Sequence, residues 1–236
     1  MTLTPEIHAA LMGVTTATLT TVLLKKGVRT AYIRGPFAAT EAAKGQRVVG
    51  PAFTLRFVPA REDLSTPESW SSPRSTRAAI EDMPADCIVV ADAMGVTDAG
   101  IFGDILCARM VKKGVTALVT DGMLRDAAGV ATTGMAVWCK GMVAPASVAS
   151  LNFVGWQETI GCGGVCVVPG DTIVADGDGA VVIPAALLEA VTAAAVEQER
   201  LEAWIMIQVG KGLALPGLYP PNAETKARYE AETKGG

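Results

Sequence analysis

Two short, largely apolar runs constrain this chain most: Cys87-Ile-Val-Val-Ala91, which is continuous, and Val115-Thr-Ala-Leu-Val-Thr120. A segment that is apolar at nearly every position, instead of every second one, suits a strand buried on both faces. Between the runs, Ile105 to Lys113 reads as a helix. Asp104 is placed to be its N-cap, Lys112 and Lys113 suit its C-terminal dipole, and Gly114 stops it. Strand, helix, strand in this order predicts a right-handed crossover and a parallel pair. The fold class is therefore α/β with a parallel βαβ core.

The flanks add to that core. Pro5 to Lys26 reads as one helix ended by Gly27, and Arg47 to Val58 as an apolar, β-branched strand. Glu62 to Arg74, rich in Ser, Pro and charge, reads as a loop, and Ser75 to Met83 as a short helix. Beyond Trp138 the chain turns β-rich: Cys166 to Val168, Thr172 to Ala175 and Ala180 to Ile183 read as strands. Pro169-Gly170-Asp171 and Asp176-Gly-Asp-Gly179 separate them as tight turns. Pro184 opens a long helix to about Val209, ended by Gly210 and Gly212. The division expected is one catalytic domain, residues 1–212, and a Pro-rich, then charged tail, 213–236. The tail is expected to lie along a neighbour or the surface, with its last residues mobile.

Half of the residues are hydrophobic and 19% are charged, against about 25% charged in an average soluble protein. Mean hydropathy is +0.35. No segment offers the roughly 18 uninterrupted apolar residues of a spanning helix, so an oligomer interface is the expected destination for the excess. Net charge is −4, the pI is about 5.1, and no basic patch marks a nucleic-acid partner. The N-terminus lacks signal-peptide features, and a cytoplasmic location is expected. The five cysteines then read as reduced, mostly buried thiols. Cys162 and Cys166 form a C-x3-C pair without a CxxC or a nearby histidine to complete a zinc site. His8, the single histidine, falls in the N-terminal helix, which argues against Ser-His-Asp and Cys-His catalysis. Lys140 is the one candidate for Schiff-base chemistry, and a surface lysine is the plainer reading.

Ligands of parallel α/β sheets collect beyond the carboxyl ends of the strands. The first run leads through its loop to Gly103-Asp104, and the second through Asp121-Gly122 to Arg125-Asp126. The two groups are expected to face each other and to suit an anionic 2-oxo acid. The N–H groups of Ile105 and Leu106, at a helix N-terminus, can hold a carboxylate, and Gly103 lets the backbone come close. Arg125 can stabilise an enolate oxygen. Asp126 can hold a hard divalent cation, which commonly needs only one or two protein carboxylates. Asp104 can cap the helix and assist. Taken singly, Gly-Asp before a helix is an ordinary cap, and Arg-Asp after a strand an ordinary surface ion pair.

Asp104, Arg125 and Asp126, within GDILCARMVKKGVTALVTDGMLRD, resemble the signature of the RraA-like family. That family contains the 4-hydroxy-4-methyl-2-oxoglutarate/4-carboxy-4-hydroxy-2-oxoadipate aldolases. TTATLTTVL, VVGPAFTL and VVPGDTIVADGDGAVVIP resemble further family segments. The resemblance implies a three-layer β/β/α swivelling-domain-like fold with a long C-terminal helix. It also implies Mg²⁺ or Mn²⁺ dependence and homotrimers or homohexamers with active sites between subunits. Carried over, Asp126 is the metal ligand, Arg125 the enolate stabiliser and Asp104 the paired acid, with the amides of Ile105 and Leu106 holding the pyruvate carboxylate. A neighbour's glutamate completes the family site, and Glu199 or Glu197 stands where it would come from. Thr20-Thr21 departs from the family's early acidic residue, and the Pro-rich tail departs from the aldolases. The activity implied is metal-dependent cleavage of a 4-hydroxy-2-oxo acid to pyruvate, with oxaloacetate decarboxylation as a companion reaction. The other class is a non-catalytic, protein-binding regulator of ribonuclease activity, the role behind the family name.

Overall fold

The computed structural model describes residues 3–233. Its spine is strand β3 (Val48–Pro59), which belongs to two half-sheets. Val48 to Pro51 pair antiparallel with β8 (Thr172–Asp176), followed by β9 (Gly179–Ile183) and β1 (Tyr32–Ile33). From Ala52 onward β3 pairs in parallel with β4 (Ile88–Asp92), followed by β5 (Ala117–Thr120) and β6 (Val137–Cys139). Strand β2 (Phe37–Ala38) closes that half antiparallel to β6, and β7 (Leu151–Trp156) lies antiparallel to β3. The change of partner falls at Gly50-Pro51. A Cβ at Gly50 would stand 2.8 Å from the Asp86 carbonyl, and proline has no N–H to give to a ladder.

Alternation along the strands builds separate cores. Ile88 and Val90 of β4 point between the half-sheets, where they meet Ile173 and Val182. Val89 and Ala91 point the other way, onto Ile80 of α3 (Thr76–Asp82) and Met110 of α4 (Asp104–Lys112). Val174 and Val181, on the far side of the other half-sheet, meet Leu19 and Leu23 of α2 (Thr16–Lys25) and Val191 of α6 (Leu188–Gly210). The layers read helix, sheet, sheet, helix. This is the expected α/β class with its parallel βαβ core and long C-terminal helix; the three β/β/α layers implied by the resemblance gain a fourth, because α3 and α4 cover one outer face as α2 and α6 cover the other. No single helix among the described residues is long and apolar enough to cross a membrane.

Several local expectations are corrected. The N-terminal helix is two: α1 (Pro5–Met12) and α2 meet at 111°. Gly13 caps α1, and the Thr15 hydroxyl accepts the Thr18 N–H to start α2. Buried Val14 sits at the bend. Cys166 to Val168 is no strand, because only Val167 pairs, with Ile160. The loop from Glu62 to Arg74 contains a short 3-10 turn, Pro67–Ser71. The tail, expected to lie along a neighbour or the surface, forms a helix, α7 (Ala223–Thr233), that packs on α6 of its own chain. Tyr229 sits edge-on to Trp204 at 5.7 Å, and its hydroxyl donates to Glu197 at 3.0 Å. Residues 234–236, where the tail was expected to be mobile, lie outside the described residues. Four of the five thiols are buried, Cys166 is exposed, and none is paired.

Candidate active site

Parallel pairing resumes beyond the strand ends and brings the two polar groups together. Ile101 N–H donates to the Met123 carbonyl and Arg125 N–H to the Phe102 carbonyl, each at 2.9 Å. Leu124 N–H reaches the Gly141 carbonyl at 3.0 Å. Segments 100–102, 123–125 and 141–143 therefore continue the β4, β5, β6 order past the turns. Asp121 braces the turns, accepting the Ala93 N–H on Oδ1 at 2.8 Å and the Gly163 N–H on Oδ2 at 3.0 Å. Burial pushes its carboxyl up, with those two bonds opposing.

Three glycines set the distances at the site. A Cβ at Gly103 would lie 2.3 Å from Asp126 Oδ2. One at Gly129, in α5 (Ala127–Thr132), would lie 2.4 Å from Asp104 Oδ2. One at Gly100 would lie 2.9 Å from both the N and the Cβ of Arg125. No side chain could stand at these positions with the three polar residues where they are. Asp126 has φ 57° and ψ 47°, a left-handed conformation that aspartate adopts more readily than most residues and that often marks a functional position. Arg125 Nε donates to Asp126 Oδ2 at 3.1 Å, with both side chains partly exposed.

The helix start differs from expectation. Gly103 is the N-cap and Asp104 the first helical residue. Asp104 Oδ1 accepts the N–H of the adjacent Ile105 at 2.7 Å. Of the two amides expected to take a carboxylate, Ile105 already has an acceptor. The Leu106 amide precedes the first intrahelical bond, from Cys107 N–H to the Gly103 carbonyl.

Gly103, Asp104, Ile105, Leu106, Arg125 and Asp126 all line one open cleft of about 320 Å³. Sequence reading missed its outer lip. Trp70 and Arg77 stand there with the Arg77 guanidinium 5.3 Å from the indole centre, and Ser147 lines it as well. The only available signal was an aromatic within a Ser-rich loop. Glu199 and Glu197 are not among the residues lining this cleft in their own chain. Glu199 accepts the Thr15 N–H and hydroxyl at 2.7 and 2.8 Å. Burial pushes its carboxyl up, but the bonds from Thr15 and Thr18 and the nearby Arg47 charge together hold the pKa below the ordinary value. Thr20 and Thr21 turn their hydroxyls back onto the Ala17 carbonyl. Among the described residues no group of three or more His, Cys, Asp or Glu side chains could hold a metal by itself.

Comparison with known proteins follows the same lines. A Halalkalibacterium halodurans protein named "Putative 4-hydroxy-4-methyl-2-oxoglutarate aldolase" is 32% identical over 145 residues, 60% of this chain and 61% of that protein. Protein DlpA of Legionella pneumophila is 26% identical over 173 residues, 73% of this chain and 27% of that one. The matched region thus spans about a quarter and about three fifths of these two relatives. The crystal structure of Streptomyces coelicolor RraAS2, described as an unusual member of the RNase ES inhibitor RraA protein family, superposes with a TM-score of 0.76 at 33% identity. That match covers 86% of this chain and 97% of RraAS2. The family model for Aldolase/RraA matches residues 16–182, most of the chain, and the chain belongs to this RraA-like family.

Proposed function

We propose that the cleft at Arg125 is the active site of a divalent-metal-dependent carbon–carbon lyase. It cleaves a 4-hydroxy-2-oxo acid to pyruvate and a carbonyl compound. The observation that carries this reading is the packing of the two carboxylates of Asp104 and Asp126, and of the backbone and Cβ of Arg125, onto three glycines beyond the carboxyl ends of β4 and β5. A surface ion pair needs no such cradle. The aldolase name of the Halalkalibacterium relative supports the same chemistry.

The donors fit Mg²⁺ or Mn²⁺. They are all oxygen, and such ions commonly take one or two protein carboxylates and fill the rest of their shell with water and substrate. Asp126 would hold the cation with Asp104 alongside, and the ion would supply Lewis-acid stabilisation of developing oxygen charge. The first turn of α4, at Leu106 and, once Asp104 yields it, Ile105, receives the substrate carboxylate. Arg125 donates to the C2 oxygen, where charge builds as the C3–C4 bond breaks. The bonding pair becomes the C2–C3 double bond of the pyruvate enolate. The C4 hydroxyl proton passes to a carboxylate, Asp104 of this chain or Glu199 of a second copy, leaving a carbonyl at C4. A proton returned to C3 gives pyruvate. With oxaloacetate the same bond breaks, CO₂ leaves without a base, and the same enolate is protonated. Arg77, stacked on Trp70, offers a second cation to a carboxylate on the C4 side. A tertiary-alcohol dicarboxylate suits this lip better than a sugar-derived 2-oxo-3-deoxy acid. A trimer or hexamer with sites between copies supplies the glutamate.

The RraAS2 likeness favours a second reading, a protein-binding regulator of ribonuclease activity. One experiment separates them. Pyruvate release from oxaloacetate and from 4-hydroxy-4-methyl-2-oxoglutarate is followed by NADH oxidation with lactate dehydrogenase. EDTA should abolish it, and Mg²⁺ or Mn²⁺ should restore it. No pyruvate from either substrate with either metal overturns the lyase reading and leaves ribonuclease inhibition to be measured.

A further inference from the structure

A second polar pocket opens at the same sheet edge, away from Arg125. Asp92, Asp121 and Lys140 end or directly follow the adjacent parallel strands β4, β5 and β6. In an open α/β sheet this edge is where ligands gather. The pocket, of about 340 Å³, is lined by Arg34, Lys140, Asp121 and several glycines.

The two cations are seated against glycines. A Cβ at Gly164 would stand 1.9 Å from Arg34 Nη2. A Cβ at Gly35 would stand 2.6 Å from Lys140 Cε, and one at Gly95 3.0 Å from its Nζ. Backbone bonds fix the walls: Arg34 N–H donates to the Gly163 carbonyl at 3.2 Å, and Lys140 N–H to the Gly122 carbonyl at 2.9 Å. The floor is Asp121, 4% exposed, each of whose oxygens already accepts a backbone N–H. The cations, in contrast, have donors to spare. Lys140 Nζ gives one hydrogen bond, to the Gly95 carbonyl at 3.1 Å. The Arg34 guanidinium has no hydrogen bond or ion pair among the described residues. The lining carries two cations and one carboxylate, and the Asp92 carboxylate stands just beside it, accepting the N–H of the lining residue Gly161 at 3.1 Å.

We propose that Arg34 and Lys140 form a binding site for a small oxyanion, a carboxylate or a phosphate, distinct from the Arg125 cleft. The guanidinium fork offers paired donors to two anion oxygens, and the ammonium supplies a point charge. Glycine walls let a compact anion reach both heads without a side chain in the way. The Asp121 carboxyl beneath excludes an anion from going deeper, so the ligand sits at the mouth. Lys140, a Schiff-base candidate from sequence, becomes an anion-binding residue in this assignment. The pocket shares the loop from Asp92 to Gly103 with the Arg125 cleft, so an anion held here would brace that loop.

Isothermal titration of the full chain with inorganic phosphate, and separately with acetate, tests the site. Wild-type protein should bind at least one of them saturably, with Kd on the order of 1 mM. The tighter of the two identifies the ligand class. Arg34→Ala and Lys140→Met should each weaken binding by about tenfold or more, as loss of a charged hydrogen-bond partner does. Arg125→Ala removes any anion held in the catalytic cleft and should leave a saturable component that Arg34→Ala abolishes. Arg34 is exposed, so its removal leaves the fold intact, and thermal melting checks Lys140→Met. No saturable binding of either anion overturns the proposal. So does undiminished binding by the Arg34 and Lys140 variants, or binding lost only with Arg125.

Discussion

Replacing Gly103 with alanine puts one methyl group against the carboxylate proposed to hold the metal. The backbone there is extended, φ −123° and ψ −170°, and any residue adopts it. The new Cβ would stand 2.3 Å from Asp126 Oδ2, yet 3.4 Å from both Asp126 Cγ and Arg125 Cγ. Ordinary contact starts at 3.4 Å, so only the oxygen must retreat, by about 1.1 Å (3.4 − 2.3). The Asp126 side chain is 41% exposed and can turn without disturbing the core. Its ion pair with Arg125 is worth at most about 1 kcal/mol at such exposure. Alanine in place of glycine returns about 0.4–1 kcal/mol by restricting the unfolded chain. Stability should therefore stay within about 1 kcal/mol of wild type by thermal melting. Catalysis has no such tolerance, since a misplacement of about 1 Å can cost on the order of 10²-fold. The assay is pyruvate release at increasing Mg²⁺, which should show lower kcat and weaker apparent metal affinity. Gly177→Ala is the control: nothing lies within 4 Å of its Cβ and its φ is ordinary. A Gly103→Ala variant with wild-type kcat and metal dependence refutes a metal ligand at Asp126 in this geometry. A variant that fails to fold refutes the energetic estimate.

Arg125→Ala and Arg125→Lys should both lower kcat, by about 10²–10³-fold for the alanine, for aldol cleavage and oxaloacetate decarboxylation alike, with the fold intact. A rise in KM alone would make Arg125 a substrate anchor. Bonds from Thr15 and Thr18 and the Arg47 charge hold the Glu199 carboxyl below its ordinary pKa against burial, so this carboxylate stabilises the fold above its unfolded pKa and stops doing so as pH falls through the lowered folded value. Glu199→Gln should therefore be less stable than wild type at neutral pH, and the gap should close in strong acid. A melting-temperature gap that does not change with pH refutes that account. Burial pushes Cys107 up to about 12 and Cys87 to about 11, and Cys166 alone is exposed. One thiol of five should react quickly with a disulfide reagent in the native protein, and all five after denaturation. A second fast thiol would contradict the packing around the buried four.

What could be read from sequence was local. The runs ending at Ala91 and Thr120 declare themselves because nearly every residue is buried by one face or the other. The approach of Gly103-Asp104 to Arg125-Asp126 follows once the strands are parallel, because pairing simply continues past the turns. The Asp104 cap was misjudged because Gly103 can take that position with no side-chain bond, leaving Asp104 to serve its neighbour's amide. Strand β6 and helix α5 were invisible because they are short, and β7 because only Leu151 and Gly155 of it are fully buried, so it carries no continuous apolar run. Helix α7 reads as a charged tail until Tyr229 and Glu232 are seen against Trp204. The glycines make the same point from the other side. In sequence a glycine signals a turn or a weak helix, and Gly129 inside α5 costs about 1 kcal/mol relative to alanine. Its reason becomes visible only when Asp104, from α4, is found 2.4 Å from where the missing Cβ would be. The chain gives up helix stability at that position, and in return a carboxylate is held against the cleft where the proton of the C4 hydroxyl would be taken.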